Sequence, residues 1–501
     1  MTTKRDSSKR DRRTRGGALA LLIAVLLANF ACADGDSLAD NGGMSGTGIS
    51  DGAITSFGSI FVGGVRWDLS SAEIRVRDVV VRESALRVGM VVRVEGDFDP
   101  GNRTGRAIRV RFDPELRGPI ESTPVEVIPG LLKTFTLLGR TVTVNANRTT
   151  FGDGADFATL AADDVLEVSG LVDASGNVRA TRVRAIPLID DVELSDTVDN
   201  LTKNPDGSGI FDLGSITVRY TPATLFDDTT RVALANGDRV EVEGTLRSAD
   251  EVDASRISAE DDDLGVTDLE RAEIEGVVRV CPSAPDFCVR GIRVDTSAAV
   301  FEPPTFSPAP GDRVEIEGRV VGGILLADRV EDEEDESPDA RLEGAVTATD
   351  ASGGTLTLLG VTVRVDGDTI LRDDSSAEDE SFTLPEIVVG DYLEVRGVEE
   401  GGDVRARLVR REDATPGEDD VRLQGPVTAL DRPTSSLSIL GRSVPLDGDT
   451  LYFDRFDASR TAEEFFRTPG DVMIGDIVSA EDEDAASLST LTEVDEVAIE
   501  D

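Results

Sequence analysis

The sequence predicts an all-β protein, a tandem array of about six small five- or six-stranded antiparallel barrels following an N-terminal signal segment. Two observations carry that expectation. A Gly-Asp-type corner followed by alternating apolar and charged residues occurs six times: VGMVVRVEG from Val88, ADDVLEVSG from Ala162, NGDRVEVEG from Asn236, PGDRVEIEG from Pro310, VGDYLEVRG from Val389 and IGDIVSAED from Ile474. Measured from the second residue of each copy, the steps are 74, 74, 74, 79 and 85 residues, and self-similarity at a near-fixed period means one supersecondary unit repeated. The apolar residues also recur with period two, the mark of half-buried strands rather than helices.

The first 33 residues have the three parts of an export signal. Lys4, Arg5, Lys9, Arg10, Arg12, Arg13 and Arg15 form a basic region, and Ala18 to Phe30 an apolar stretch of 13 residues ending at Ala31-Cys32-Ala33. A membrane-spanning helix needs about 20 apolar residues, so the segment reads as a cleavable signal or a short anchor. Cleavage before Cys32 leaves a lipidated first residue, although Asn29-Phe30-Ala31 departs from the usual lipoprotein box; cleavage after Ala33 releases the chain. The three cysteines favour the first reading, because lipidation of Cys32 leaves Cys281 and Cys288 as an even pair for a disulfide in an oxidising compartment. The expected location is the cell envelope, membrane-anchored through the lipid alone, with residues 32–50 as a flexible tether.

The six units are read as 51–113, 118–186, 190–259, 272–331, 341–411 and 422–501. Five of them open with a Gly-x-aliphatic element, at Gly52, Gly118, Gly276, Gly344 and Gly425. A hairpin follows, clearest as FTLLGRTVTV from Phe135, LTLLGVTVRV from Leu356 and LSILGRSVPL from Leu437, with a central glycine supplying the backbone freedom of a tight turn. After an irregular stretch come the Gly-Asp strand and a last strand such as GNVRATRV from Gly176. Five strands with an insertion between the third and fourth is the order of an oligonucleotide/oligosaccharide-binding-type barrel. Phe57, Phe61, Phe135 and Phe211 fall on core positions. The acidic runs Glu260–Asp263, Glu331–Glu336 and Glu412–Asp420 read as self-repelling, extended linkers between beads, so added salt is expected to contract the array.

The opening GTGISDGAITSFGSIFVGGVRWD from Gly46, followed by VGMVVRVEG, closely resembles the bacterial family called domain of unknown function 5666, most specifically through Phe57-Gly58-Ser59-Ile60-Phe61-Val62. The later copies resemble diverged members, and the sixth departs by ending in Val478-Ser479-Ala480-Glu481-Asp482. The resemblance implies an exported, often lipid-anchored, multi-repeat β protein and brings no catalytic residues.

Composition narrows the chemistry. There is no histidine, which removes imidazole-based nucleophile systems and neutral-pH histidine switches. Removal of residues 1–31 leaves 44 basic and 96 acidic side chains, a formal charge near −52, which argues against nucleic-acid partners. No carboxylate pair is singled out for catalysis. Asp238, Glu241 and Glu243 of the Gly-Asp strand read as a turn and a solvated strand face. The loops Asp366-Gly367-Asp368 and Asp447-Gly448-Asp449 offer hard oxygen ligands to calcium, or else satisfy Asp-Gly turn geometry; no other cofactor is indicated. The leading function is a non-enzymatic envelope lipoprotein acting as a multi-barrel spacer, adhesion or interaction module with an envelope polymer or protein partner. A polysaccharide- or peptide-binding periplasmic protein is the alternative, and a carboxylate-dependent enzyme the third reading.

Overall fold

The computed structural model describes residues 46–500 except 58, 78, 100–101, 174, 188–191, 228–232, 260–267, 282–286, 334–339, 378, 380, 456–457, 468–470 and 484. The signal segment, Cys32 and most of the tether lie outside the described residues, as do Glu260–Asp263 and Glu334–Glu336. The rest belongs to one compact unit, Met44–Asp501.

The second barrel shows the shared plan. Its opening strand Leu116–Pro119 runs antiparallel to the fourth strand Val165–Val172, which pairs antiparallel with the last strand Val178–Ala185. The last strand lies parallel to the second hairpin strand Arg140–Asn145, which turns back onto Leu132–Leu137. A bridge between Ile120 and Leu137 closes the circle. Strand order is therefore 1-2-3-5-4-1, with Thr150–Gly152 of the insertion added parallel to the last strand. The fold is all-β and barrel-like, as the period-two pattern predicts. Valine, leucine and isoleucine at alternate positions, such as Val142, Val144, Val168 and Val183, fill each interior. Phe57, Phe135 and Phe211 are buried, whereas Phe61 is only half-buried because it faces outward between Ile60 and Val62.

The repeated glycines and aspartates have identifiable mechanical roles. At the hairpin tips both central residues take the left-handed conformation that a two-residue type I′ turn requires, at Leu138-Gly139, Leu359-Gly360 and Leu440-Gly441. At the Gly-Asp corner, Gly237, Gly311, Gly390 and Gly475 have φ between 91° and 108°. The following aspartate accepts the N–H of the residue three before it: Ala235 on Asp238 and Ala309 on Asp312, for example, at 2.8 and 2.7 Å. The glycine that ends the motif marks a β-bulge against the last strand, with register shifts at Ser169/Gly170, Glu243/Gly244, Glu317/Gly318 and Arg396/Gly397. A Cβ on Gly397 would stand 2.1 Å from the Arg405 carbonyl oxygen. The sixth copy has Asp482 at this place and pairs without a shift.

The barrels are joined in pairs, not strung as beads. The opening strands Leu116–Pro119 and Val192–Lys203 hydrogen-bond to each other, joining barrels two and three, and Ala340–Asp350 pairs with Val421–Asp431, joining five and six. Barrels one and four, far apart in sequence, meet through parallel pairing of Gly46–Ala53 with Asp268–Val277. Each pairing covers an edge that the bent opening strand would otherwise leave open. The cores of barrels two and three are continuous, as are those of five and six, and Ile49 of barrel one sits in the core of barrel four.

The expected extended linkers are corrected accordingly. Glu331 and Glu333 are buried near arginines. Residues 412–420 turn back on the sixth barrel, Gly417 donating to the Ala485 carbonyl at 2.8 Å and Ala485 to that of Asp419 at 3.0 Å. Nearby arginines and backbone donors, rather than repulsion, govern these described acidic residues.

Because the bulge leaves no room for a side chain, Gly397→Ala is expected to lower unfolding stability by about 1–3 kcal/mol, measured by urea denaturation. An unchanged midpoint would show that the bulge has slack.

Candidate functional site: a cavity where four barrels meet

The outer faces of the opening and fourth strands carry charge, and pairing the barrels buries it. At the seam of barrels one and four, Asp51 lies between Arg93 and Arg290, each at 3.0 Å. Glu275 accepts the Ala53 N–H at 2.9 Å and Arg313 Nε at 2.8 Å. At the seam of barrels two and three, Glu193 takes Arg77 Nε at 2.6 Å, and Arg117 stands 3.6 Å away. At the seam of barrels five and six, Glu394 is fully buried among Arg341, Arg396 and Arg410. Burial alone would raise its pKa, but Arg396, Arg410 and Arg341 outweigh burial and hold it below the usual carboxylate range. The solvated-face reading of the Gly-Asp strand is thus corrected. Glu167, Glu315 and Glu394 of the motif are buried, and Glu241 and Glu243 are half-buried, because a second barrel lies where solvent was expected. Asp238 does serve its turn.

Barrels one, two, four and five converge on a cavity of about 290 Å³. Ile54, Val88, Ile128, Leu131, Leu132, Ile370, Val398 and Leu408 give it apolar walls, and Asn147, Arg148, Glu275, Arg313, Glu315, Glu333, Asp368, Arg396 and Arg407 bring polar groups. Two of the cavity's arginines, Arg313 and Arg396, make close ion pairs. Arg313 holds Glu275, Arg396 holds Glu394 and Asn147, and Arg148 and Arg407 each stand 3.7 Å from a Glu333 oxygen.

The acids on one side have no guanidinium as close as those two pairs. Glu315 is 7% exposed; its nearest guanidinium nitrogens, from Arg103 and Arg329, are 3.5 and 3.8 Å away, and its buried Oε1 has no hydrogen-bond partner. Behind it Glu273 is 2% exposed with neither oxygen hydrogen-bonded, and Arg103 stands 3.9 Å away. Asp368 completes the group at the cavity wall.

Two glycine turns bring these acids together. Gly63 and Gly64 both have positive φ, and a Cβ on Gly64 would lie 2.9 Å from Asp368 Oδ1. A Cβ on Gly367 would lie 2.9 Å from the Gly64 Cα. Thr55 reaches across, its hydroxyl donating to the Gly367 carbonyl at 2.5 Å. The Asp-Gly-Asp loop of the fifth barrel is therefore a close backbone contact with the first. The equivalent Gly448 in the sixth has open space around its Cβ direction.

The proposed calcium residues separate in the structure. Asp366 and Asp447 cap their own turns, accepting the N–H groups of Asp368 at 3.0 Å and Asp449 at 2.8 Å. Asp449 is exposed and Asp368 faces the cavity. Among the described residues no three acidic or cysteine side chains are grouped to hold a metal ion. Cys281 and Cys288 form a disulfide across the hairpin connection of the fourth barrel. Sequence reasoning missed Glu273, Glu315, Asn147, Arg148 and Arg407 as site residues, because they meet only when four barrels pack.

Crowding sets the protonation of the unmatched acids. Burial pushes Glu273 up to about 8, with Glu317 and Asp368 adding to the rise against Arg103 and Arg329. Burial pushes Asp368 up to about 7, reinforced by Asp366, Glu333 and Glu331. Glu315 is raised well above its ordinary value by burial and by Asp368, Glu273 and Glu333. A carboxyl raised on folding contributes stability below its unfolded pKa and loses it as pH rises through the folded value. For Glu273 that window runs from 4.5 to about 8. Glu273→Gln, which mimics the protonated acid, should leave the melting temperature unchanged at pH 4 and raise it by about 2–4 °C at pH 9. Equal effects at both values would show that Glu273 is not held protonated.

No curated protein matches the chain. Among solved structures, the drosophila Unr CSD456 chain is matched at 12% identity and a TM-score of 0.14, covering 42% of this chain and 97% of that one. The family model described as Domain of unknown function (DUF5666) matches residues 117–184, 198–258, 275–331 and 343–410, the second to fifth copies. The first copy, whose opening motif carries the family resemblance, and the sixth lie outside these segments. The four segments make up just over half of the chain, and the protein belongs to the DUF5666 family.

Proposed function

We propose that the protein is a non-enzymatic, exported envelope protein, anchored through Cys32, that binds a small ligand in the cavity between barrels one, two, four and five. The observation that carries this reading is the cavity itself. A string of spacers has no need for four barrels to converge on apolar walls with a few placed polar groups, the usual make-up of a small-molecule site. A volume of about 290 Å³ has room for on the order of ten water-sized groups. It therefore suits a small molecule or one end of a longer envelope polymer. Export and anchoring rest on the basic and apolar segments ahead of Ala31-Cys32-Ala33.

Thermal melting of protein isolated from its native envelope, against a library of small envelope metabolites, tests the binding reading. A true ligand at a hundredfold excess over its Kd adds about 2.7 kcal/mol of stability. Leu131→Trp, which fills the cavity from a half-buried position, should abolish that gain while the variant still melts cooperatively. A gain retained in the variant would place binding elsewhere. Intact mass of the same preparation reads the anchor, with a lipid-free N-terminus at Asp34 counting against it.

A further inference from the structure

We infer that the sixth barrel carries an unfilled docking loop, and that its occupant is the Gly322-Gly323 turn of a second copy of this chain. This docking is independent of the ligand-binding reading. Two short sequences each occur twice: Asp-Gly-Asp-Thr-aliphatic at 366–370 and 447–451, and Val-Gly-Gly-aliphatic at 62–65 and 321–324. One of each is already joined within the chain. The loop of the fifth barrel sits on the turn of the first, with Gly367 against Gly64 and the Thr55 hydroxyl donating to the Gly367 carbonyl at 2.5 Å. The Leu371 N–H donates to the Thr55 carbonyl at 3.2 Å, and Ile370 packs on the core of the first barrel.

The other loop and turn share this local geometry and have nothing against them. Thr369 and Thr450 are both buried, and each hydroxyl accepts the N–H of the first aspartate of its own loop at 3.1 Å. Gly63, Gly64, Gly322 and Gly323 have φ between 56° and 75°, and both turns close the same hairpin register, Val62 opposite Val65 and Val321 opposite Ile324. Yet a Cβ on Gly448, Gly322 or Gly323 would meet no atom within 4 Å. Leu451, the counterpart of Ile370, is 56% exposed, and Val321 beside the open turn is 48% exposed.

The sixth-barrel loop and the fourth-barrel turn do not touch within one chain, so their union joins two copies. The Gly63-Gly64 turn of a second copy is filled by its own fifth barrel, and the open Gly401-Gly402 turn is flanked by Glu400 and Asp403, which would repel the aspartates of the loop. Loop and turn are different surfaces, so the contact is head-to-tail: each copy keeps one of each free, and association continues past the dimer. Two turns bury far less than the roughly 1,200 Å² of a stable interface. Asp268, which accepts the Gly322 N–H at 3.1 Å, also brings a charge of the same sign as Asp449. The association is therefore weak, and salt that screens this repulsion favours it.

Sedimentation velocity of the mature protein from about 0.01 to 1 mM, in about 500 mM sodium chloride, tests this. The expected result is monomer at the low end and an average mass rising past that of a dimer at the high end. Gly448→Phe has open space in the free loop but would strike a docked turn, as a Cβ on Gly367 would meet the Gly64 Cα at 2.9 Å. Val321→Glu places a charge beside the turn, at a position exposed in the free molecule. Each variant alone should stay monomeric across the range. An equimolar mixture should form dimers and nothing larger, since one variant keeps only its turn open and the other only its loop. Leu451→Glu takes the place of Gly448→Phe should that variant fail to melt cooperatively. A parent chain that stays monomeric at the highest concentration, assembly that stops at a closed dimer, or folded variants that assemble like the parent would overturn this docking.

Discussion

A carboxylate on the outer face of a barrel strand is harmless in water and costly once a second barrel covers it. That constraint governs how this chain assembles. Each covered acid needs a guanidinium, and at the seams Asp51, Glu193 and Glu394 each have two or three within reach. A buried ion pair adds little net stability against a well-packed apolar alternative, but removing one partner is expensive. Such pairs therefore act chiefly as a filter on pairing. A strand offering arginine opposite glutamate is accepted, as Arg117 opposite Glu193 is in the register of barrels two and three.

The repeat separates what must be constant from what is free to vary. Corner glycine, capping aspartate and bulge glycine secure each barrel and recur in most copies. The two outward positions of the same strand differ, with Arg93 and Glu95 in the first copy, Glu167 and Ser169 in the second, and Glu394 and Arg396 in the fifth. This variation lets barrel one skip its sequence neighbour at the seam and pair with barrel four. It also leaves Glu315 and Glu273 short of close partners where four barrels meet.

Much of the single barrel was legible in the sequence. The Leu-Gly hairpin tips, the Gly-Asp corner and the alternation of Val142, Val144 and Val168 encode local geometry, and local geometry is what periodicity reports. The assembly was not legible. Glu241 and Glu243 look alike whether water or another barrel lies above them, and nothing local says that Gly46–Ala53 will pair with a strand more than two hundred residues away. The acidic runs misled for the same reason, since charge density along a chain carries no information about the arginines packed around it. Asp368 was singled out for its oxygen-rich loop, yet its cavity neighbours come from other barrels.

Buried seams hold the barrels together as one body in spite of their net charge. Small-angle scattering of the mature protein from about 20 mM to 500 mM sodium chloride tests it most directly, because salt screens exposed charges strongly and buried pairs weakly. The seams predict the same radius of gyration and distance distribution across the series. Progressive contraction with added salt would contradict them and return the protein to a string of mutually repelling beads.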